Sequence, residues 1–162
     1  MLFSEDKYRF MFAALQEAEK ALEDGEVPVG AVIVHNSRII ARGYNQVERL
    51  KDPTAHAEMI AITSACNRLD DWRLTGCSIY VTLEPCIMCT GALLAARIDG
   101  LCFAAFDSKF GACGSLHNLA ENSKTNHKIK VYSGIYSKES QALLKVFFSK
   151  KRKSSLKTPK HN

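Results

Sequence analysis

Short apolar strands alternate with amphipathic helical segments along this chain, and that alternation restricts its fold more than any other feature. Apolar residues at three- and four-residue steps predict a helix capped by Ser4 and ending near Gly25. Further helices are predicted from Pro53 or Thr54 to about residue 68, over 85–97, and from Ser137 onward. Apolar and β-branched runs predict strands at 29–34, 38–43, 77–83, 100–106 and, as a short edge strand, 130–133. This order predicts one α/β domain with a mixed sheet covered on both faces, and residues 107–127 as mostly loop.

Composition excludes several classes of protein. Of the 162 residues 46% are apolar and 24% charged, which rules out collagen-like and wholly disordered chains. No apolar run approaches the roughly 18 residues that span a bilayer, so no membrane association is expected. The first ten residues lack the basic start and apolar core of a signal peptide, so we expect a cytoplasmic protein. Clustered cysteines in a reducing compartment more often bind metals or catalyse reactions than form disulfides.

Basic charge is concentrated at the C-terminal end. Residues 150–162 carry six basic side chains and no acidic one, which leaves about −1 of the +5 net charge for residues 1–149. We expect the last helix to finish near Arg152, one domain over residues 1–153, and a mobile basic tail at 154–162. Such ends often bind nucleic acid, although a tail that only solubilises the chain is equally consistent with this composition.

Three candidate metal ligands lie where two of the predicted helices begin. Cys86 and Cys89 are three residues apart, so on a helix they point the same way, and a helix N-terminus favours their thiolate forms. His56 supplies an imidazole from the other helix. Two thiolates and one imidazole suit Zn²⁺, and three protein ligands leave one position open, as in catalytic zinc sites. Glu58, two residues after His56, can move protons beside the metal without binding it.

Two other interpretations of these cysteines stay open. Cys86 and Cys89 could form a redox pair, but the neighbouring His56 and Glu58 would then have no purpose. A closed structural zinc site would need a fourth ligand from the remaining cysteines, which are more simply small buried residues: Cys66, Cys77, Cys102 and Cys113.

The His-x-Glu and Pro-Cys-x-x-Cys motifs resemble those of zinc-dependent nucleoside and nucleobase deaminases. Within that class the chain closely resembles the bacterial tRNA-specific adenosine deaminases from about Tyr8 to Arg152. The resemblance rests on separate blocks in the same order, at residues 25–32, 45, 52–58, 81–86, 111–116, 126–127 and 147–148. Two residues depart from the family pattern. Phe106 occupies a position that is often polar or charged, and Phe110 one that is commonly small or polar.

The resemblance implies a three-layer α/β/α cytidine-deaminase-like fold with a mixed five-stranded sheet. It also implies one zinc ion per chain on His56, Cys86 and Cys89, with Glu58 as the proton shuttle. The implied reaction is hydrolytic conversion of adenosine to inosine at the tRNA wobble position, where a zinc-activated hydroxide attacks C6 and ammonia leaves. By resemblance the partners are the anticodon arm of a tRNA, expected to be an arginine tRNA, and a second copy of the chain.

The resemblance further implies a set of substrate contacts. Asn45 would hydrogen-bond the flipped base or its sugar, and backbone groups of Ala57 and Glu84 would hold the base and the hydroxide. The positions that would meet the anticodon loop are Asp107, Lys109, Arg73, Phe148 and Arg152.

Simpler roles remain for several of these residues. Asp107 is a poor neighbour for phosphates unless it accepts a hydrogen bond, for example from a ribose 2′-hydroxyl, and otherwise it caps its loop. Asn45 could be a turn residue and Arg73 a solvated charge. Phe148 could be core packing at the end of the last helix rather than a platform on which a base stacks.

Two functions other than tRNA editing stay open. A deaminase of free bases or nucleosides, of the guanine or cytosine type, would use the same four catalytic and metal-binding residues. A non-catalytic, zinc-stabilised RNA-binding module would not need Glu58. The basic end and the resemblance over residues 107–116 favour RNA as the substrate.

Overall fold

The computed structural model describes residues 3–156 as one mixed sheet with helices on both faces. The strands are β1 (Gly30–His35), β2 (Arg38–Tyr44), β3 (Cys77–Leu83), β4 (Gly100–Ala105) and β5 (Lys130–Ser133). The helices are α1 (Glu5–Glu23), α2 (Val47–Leu50), α3 (Ala57–Leu69), α4 (Ile87–Ala95) and α5 (Ser137–Ser155). The five predicted strands are all present, whereas the short helix α2 was not predicted.

The strands form one five-stranded sheet in the order β2-β1-β3-β4-β5. The first hairpin turns through Asn36 and Ser37, both with positive φ, so β1 and β2 are antiparallel. β1 is also antiparallel to β3, while β3, β4 and β5 run parallel. The prediction of a mixed sheet with 130–133 at its edge is therefore confirmed.

Alternate residues of each strand face different helices. On one face Val32 of β1 packs in a cluster with Met11 of α1, and α5 contacts β3 and β4 on this face. On the other face Ile33 packs in a cluster with Ala61 of α3 and Leu93 of α4. The three-layer α/β/α arrangement is confirmed. It arises because successive side chains of a strand point to opposite faces of the sheet, so that each face packs against its own helices.

Helix α3 lies directly against β2 at Gly43. A Cβ atom at this position would lie 2.5 Å from the carbonyl oxygen of Ala57 and 2.9 Å from the amide nitrogen of Ala61. The first turn of α3 can therefore approach the sheet this closely only because residue 43 has no side chain. This contact fixes the position of the helix start that carries Glu58.

Both predicted metal-binding helices begin later than expected. α3 begins at Ala57 because the backbone N–H and hydroxyl of Thr54 donate to Asp52 Oδ1 at 2.8 and 2.7 Å, which holds the preceding residues in a turn. α4 begins at Ile87 because the carbonyl of Pro85 accepts from the backbone N–H of Ala112 rather than from a backbone N–H of its own helix. The prediction that Pro53, Thr54 and Pro85 start helices is wrong.

The last helix continues to Ser155, three residues beyond its predicted end. Residues 157–162 lie outside the described part of the chain, so the division into a domain of 1–153 and a mobile tail stays a prediction. Among residues 3–156, none of the helices has the length and apolarity needed to cross a membrane.

Candidate metal centre and its cavity

Three ligand atoms converge between the starts of α3 and α4. His56 and Cys86 are the N-cap residues of the two helices, and both have extended backbones, with ψ values of 155° and 178°. The Nδ1 atom of His56 lies 3.7 Å from Sγ of Cys86 and 3.5 Å from Sγ of Cys89. All three ligand atoms fall within 4.8 Å of one another. The predicted ligand set is therefore brought together by folding.

The spacing of these atoms fits zinc. Zinc bonds of about 2.3 Å to sulfur and about 2.0 Å to nitrogen, set at a tetrahedral angle, separate a sulfur and a nitrogen by about 3.5 Å. The two observed nitrogen–sulfur distances, 3.5 and 3.7 Å, lie close to this value. Within residues 3–156 this is the only such cluster of three metal-ligating side chains, and a fourth cysteine is not part of it. The closed structural site considered from the sequence therefore has no support.

The electrostatics of the cluster favour a thiolate at Cys86. A hydrogen bond from Cys89, joined by another from His56, lowers the pKa of the Cys86 thiol to about 4. The pKa of Cys89 is raised by the same hydrogen bond to Cys86 and by its burial. The two N-terminal helix ends add positive potential at the cluster. Cys86 is thus the first of the pair to ionise, and zinc would hold both as thiolates.

Glu58 lies beside the cluster without belonging to it. It is in the first turn of α3 and only 4% exposed. Burial raises the pKa of its carboxyl, which is the direction needed for a group that must both take up and release a proton near neutral pH.

A cavity of about 1380 Å³ opens over these residues. Its inner end is lined by His56, Glu58 and Cys86, and its outer end by aromatic and basic side chains of α5 and of the loop after β4. Ligand pockets for small molecules are typically about 300–1,000 Å³, so this cavity exceeds what a free base requires.

The sequence model of the cytidine and deoxycytidylate deaminase zinc-binding region matches residues 4–105. The chain belongs to this deaminase family. A tRNA-specific adenosine deaminase of Aquifex aeolicus is 49% identical over 146 residues, covering 90% of this chain and 96% of that protein.

Two solved structures resemble this deaminase to different extents. One comes from a study of A-to-I editing by tRNA:A34 deaminases at the wobble position of transfer RNA. It is 46% identical, with a TM-score of 0.81, and the match covers 84% of this chain and 99% of that one. The other is a guanine deaminase of Bacillus subtilis, 40% identical with a TM-score of 0.59, covering 64% and 66% of the two chains.

Asn45 lines the deaminase cavity and is 7% exposed. Its Nδ2 donates to the carbonyl of Val27 at 3.4 Å. Its Oδ1 is the one buried side-chain N or O atom of residues 3–156 without a hydrogen-bond partner. An orphaned buried acceptor is costly, and a ligand that donates to it would remove the cost. A turn residue at the surface would not be buried in this way, so the cavity role of Asn45 gains support.

Asp107 does cap its loop. Its Oδ1 accepts from the N–H groups of Lys109 and Phe110 at 3.0 and 3.2 Å. Oδ2 has no hydrogen bond among the described contacts, so capping leaves one carboxylate oxygen available. Asp107 and Lys109 both line the deaminase cavity, and their predicted contacts with RNA stay predictions.

Ala57 and Glu84 line the inner half of the cavity. The backbone N–H of Glu84 donates to the carbonyl of Ala105 at 2.8 Å, so it is already engaged. Sequence reasoning missed the role of the Glu84 side chain, which is 3% exposed. It accepts from the N–H groups of Asp107, Cys113 and Ser115, at 2.9, 3.1 and 2.8 Å, and from the Ser115 hydroxyl. This carboxylate joins the metal-ligand turn to the loop of residues 107–115.

The remaining predicted contacts lie in different places. Phe148 lines the cavity and is 47% exposed, so it is not core packing. Arg152 is on α5 between the lining residues Lys151 and Ser154 but does not line the cavity itself, and it donates to the carbonyl of Phe148. Arg73 pairs with Asp71 before β3, whereas the metal cluster follows that strand's other end. β3 is about 20 Å long at about 3.3 Å per residue, and Arg73 is not among the residues that line the cavity. The chain alone does not bring Arg73 to the cavity.

Proposed function

We propose that the protein hydrolyses adenosine to inosine at the wobble position of a tRNA anticodon. The observation that carries this proposal is the form of the cavity. Its inner end holds the metal cluster and Glu58, while its outer end is open and lined by Phe148, Lys150 and Lys151. A macromolecular anion with unpaired bases fits such a cavity better than a free base does.

The reaction consumes water and releases ammonia. Zinc on His56, Cys86 and Cys89 would supply a Lewis acid that lowers the pKa of water. Glu58 would accept the two protons of the attacking water in turn and deliver one to N1 of the adenine ring and the other to the departing amino nitrogen, so that inosine and ammonia form with protons balanced. The acceptor Asn45 Oδ1 would receive a hydrogen bond from the ribose or base of the target adenosine. The depth of the cluster means that the target nucleotide must leave its base stack to react.

Three finer proposals accompany this function. The partner would be the anticodon arm of an arginine tRNA, and the location would be cytoplasmic because tRNA is decoded there; both rest on the family resemblance. The third is a homodimer, supported by α4. That helix has no charged residue, its polar Thr90 is buried, and Ile87, Gly91 and Ala95 are exposed on it. A helix without a polar face is typical of one that is covered by a partner.

Free guanine is the second candidate substrate, because the chain is also similar to a guanine deaminase of Bacillus subtilis. That match covers 64% of this chain. Incubation with tRNA and, separately, with free guanine, cytosine, adenosine and cytidine distinguishes the two. Inosine in tRNA supports the proposal. Ammonia from guanine with intact tRNA would replace it with the free-base function.

The basic rim gives a sharper test. Lys150 and Lys151 line the cavity, so changing both to alanine should remove up to two phosphate contacts. The slope of log affinity against log salt should then flatten by about 1.4 to 1.8. Changing Lys124 and Lys128 to alanine is the matched control, since these exposed lysines precede β5 and lie outside the cavity lining. Equal slopes for both double variants would mean that α5 does not contact the RNA backbone.

A further inference from the structure

Phenylalanines are concentrated at the outer end of the cavity. Phe106, Phe110, Phe147 and Phe148 all line it. Phe106 packs edge-on against Phe103, with ring centroids 5.0 Å apart, and Phe147 packs in the same way against Phe148 at 5.2 Å. Single exposed apolar residues are common, but several around one opening indicate a binding surface.

Phe110 differs from the other three. It is 67% exposed, and within residues 3–156 its ring makes no aromatic or cation–π contact. An aromatic ring left this open keeps most of its apolar surface in contact with water. Its exposure is therefore explained by a ligand rather than by packing.

The backbone of Phe110 is held firmly. Its N–H donates to Asp107 Oδ1, and the N–H of Gly111 donates to the Asp107 carbonyl at 2.9 Å. Gly111 also forms an isolated bridge with Cys86. The ring thus sits on a segment fixed directly to a metal ligand, and a fixed platform loses little entropy when a base docks on it.

The charge around Phe110 matches a nucleic acid strand. Lys109 precedes it, is exposed and lines the cavity, as do Lys150 and Lys151 on α5. These lysines suit a phosphate backbone entering between the loop and α5. An aromatic ring bordered by such charges suits the face of an unpaired base.

We propose that Phe110 forms a second base subsite, on which a nucleotide next to the target adenosine in the anticodon loop stacks. The inference rests on the proposed tRNA function and adds a contact outside the reacting base. Stacking accepts any base, because every base has a π face, so the subsite would strengthen RNA binding without choosing sequence. It would not take part in the chemistry at the target.

The test uses the zinc-loaded protein and a synthetic anticodon stem-loop with a wobble adenosine. Phe110→Ala should lower kcat/KM for inosine formation by about 5- to 150-fold, mainly through KM. Phe110→Trp should retain activity, whereas Phe110→Leu should lose most of it despite staying apolar. Phe12→Ala is the matched control, because Phe12 is 52% exposed on α1 and outside this cavity.

Abasic substitutions identify the stacked base. Each loop nucleotide except the target is replaced by an abasic one, and the wild type is compared with Phe110→Ala on every loop. At the stacked position the two proteins should become equal. If Phe110→Ala were less active than the wild type by the same factor on every abasic loop, the inference would be overturned. Activity of Phe110→Ala within twofold of the wild type on the intact loop would also overturn it.

Two further measurements separate base stacking from packing between copies of the chain and from loss of the metal. A changed elution volume of Phe110→Ala in size-exclusion chromatography would assign the ring to an interface between copies and overturn the inference. Zinc content should be unchanged. If the wild type edits no anticodon loop, the proposed function fails and the subsite fails with it. If the wild type edits and Phe110→Ala edits equally well, only the subsite fails.

Discussion

Changing Glu84 to Gln should destabilise the protein far more than so small a change implies. The buried carboxylate receives four hydrogen bonds from the loop of residues 107–115. With an amide oxygen kept toward Cys113 and Ser115, the amide nitrogen replaces the oxygen that faces the N–H of Asp107. Two donors then meet, and the Asp107 N–H loses its partner.

The size of the effect follows from these contacts. A buried donor left without a partner costs about 1–3 kcal/mol. The two N–H groups that still reach an oxygen lose the charge of their acceptor, at about 1 kcal/mol each. The total is about 3–5 kcal/mol, and for a chain of this length each kcal/mol shifts Tm by about 2–4 °C. We therefore expect Tm to fall by about 6–20 °C.

Thermal unfolding followed by circular dichroism measures this difference on the zinc-loaded protein. Glu139→Gln is the control, because Glu139 is exposed on α5 and its substitution should change stability by less than about 0.5 kcal/mol. Ser115→Ala should fall between the two, since it removes only the hydroxyl. A Glu84→Gln protein that unfolds within about 2 °C of the wild type would refute the idea that this carboxylate holds the loop.

Other expectations concern the metal cluster and the loop. Cys86→Ser or Cys89→Ser should lose most of the bound zinc by elemental analysis, while Cys66→Ser keeps it; full retention in both variants would contradict the ligand assignment. Glu58→Gln should keep zinc and fold but slow single-turnover deamination by about 10² to 10⁴, and a near-normal rate would exclude it as the proton shuttle. Asp107→Asn keeps the oxygen that caps the loop. It should narrow the preference for RNA over a matched DNA hairpin by about tenfold, and an unchanged ratio would leave Asp107 as a cap only.

Local sequence patterns were sufficient to predict most of the helices and strands and the three metal ligands. The strand at 77–83 and the edge strand at 130–133 match their observed bounds, because each is an apolar run between clear breaks. The His-x-Glu and Cys-x-x-Cys spacings identified the metal ligands because the residues of a short motif stay close together at the start of a helix.

Long-range contacts were beyond such patterns. The carboxylate of Glu84 accepts from N–H groups 23 to 31 residues away, and nothing nearby in the sequence indicates that. The predicted helix starts at Pro53 and Pro85 are too early because Thr54 donates to the side chain of Asp52, and the Pro85 carbonyl accepts from the distant Ala112. Burial distinguished between the roles that the sequence left open for Asn45 and for Phe148. Asn45 is enclosed and Phe148 is exposed, and no local signal distinguishes these outcomes.

The glycine against which α3 packs restricts how this enzyme can evolve. A methyl group at position 43 would have to push the first turn of α3 outward by roughly an ångström to restore normal contact with the Ala57 carbonyl, because only 2.5 Å separates them. That turn begins at His56 and carries Glu58, while Cys86 stays where α4 holds it. A displacement of about 1 Å in catalytic groups can cost about a hundredfold in rate. Selection for activity thus acts on a strand residue that touches no substrate, and alanine there can leave a chain that still folds while its lineage loses the reaction.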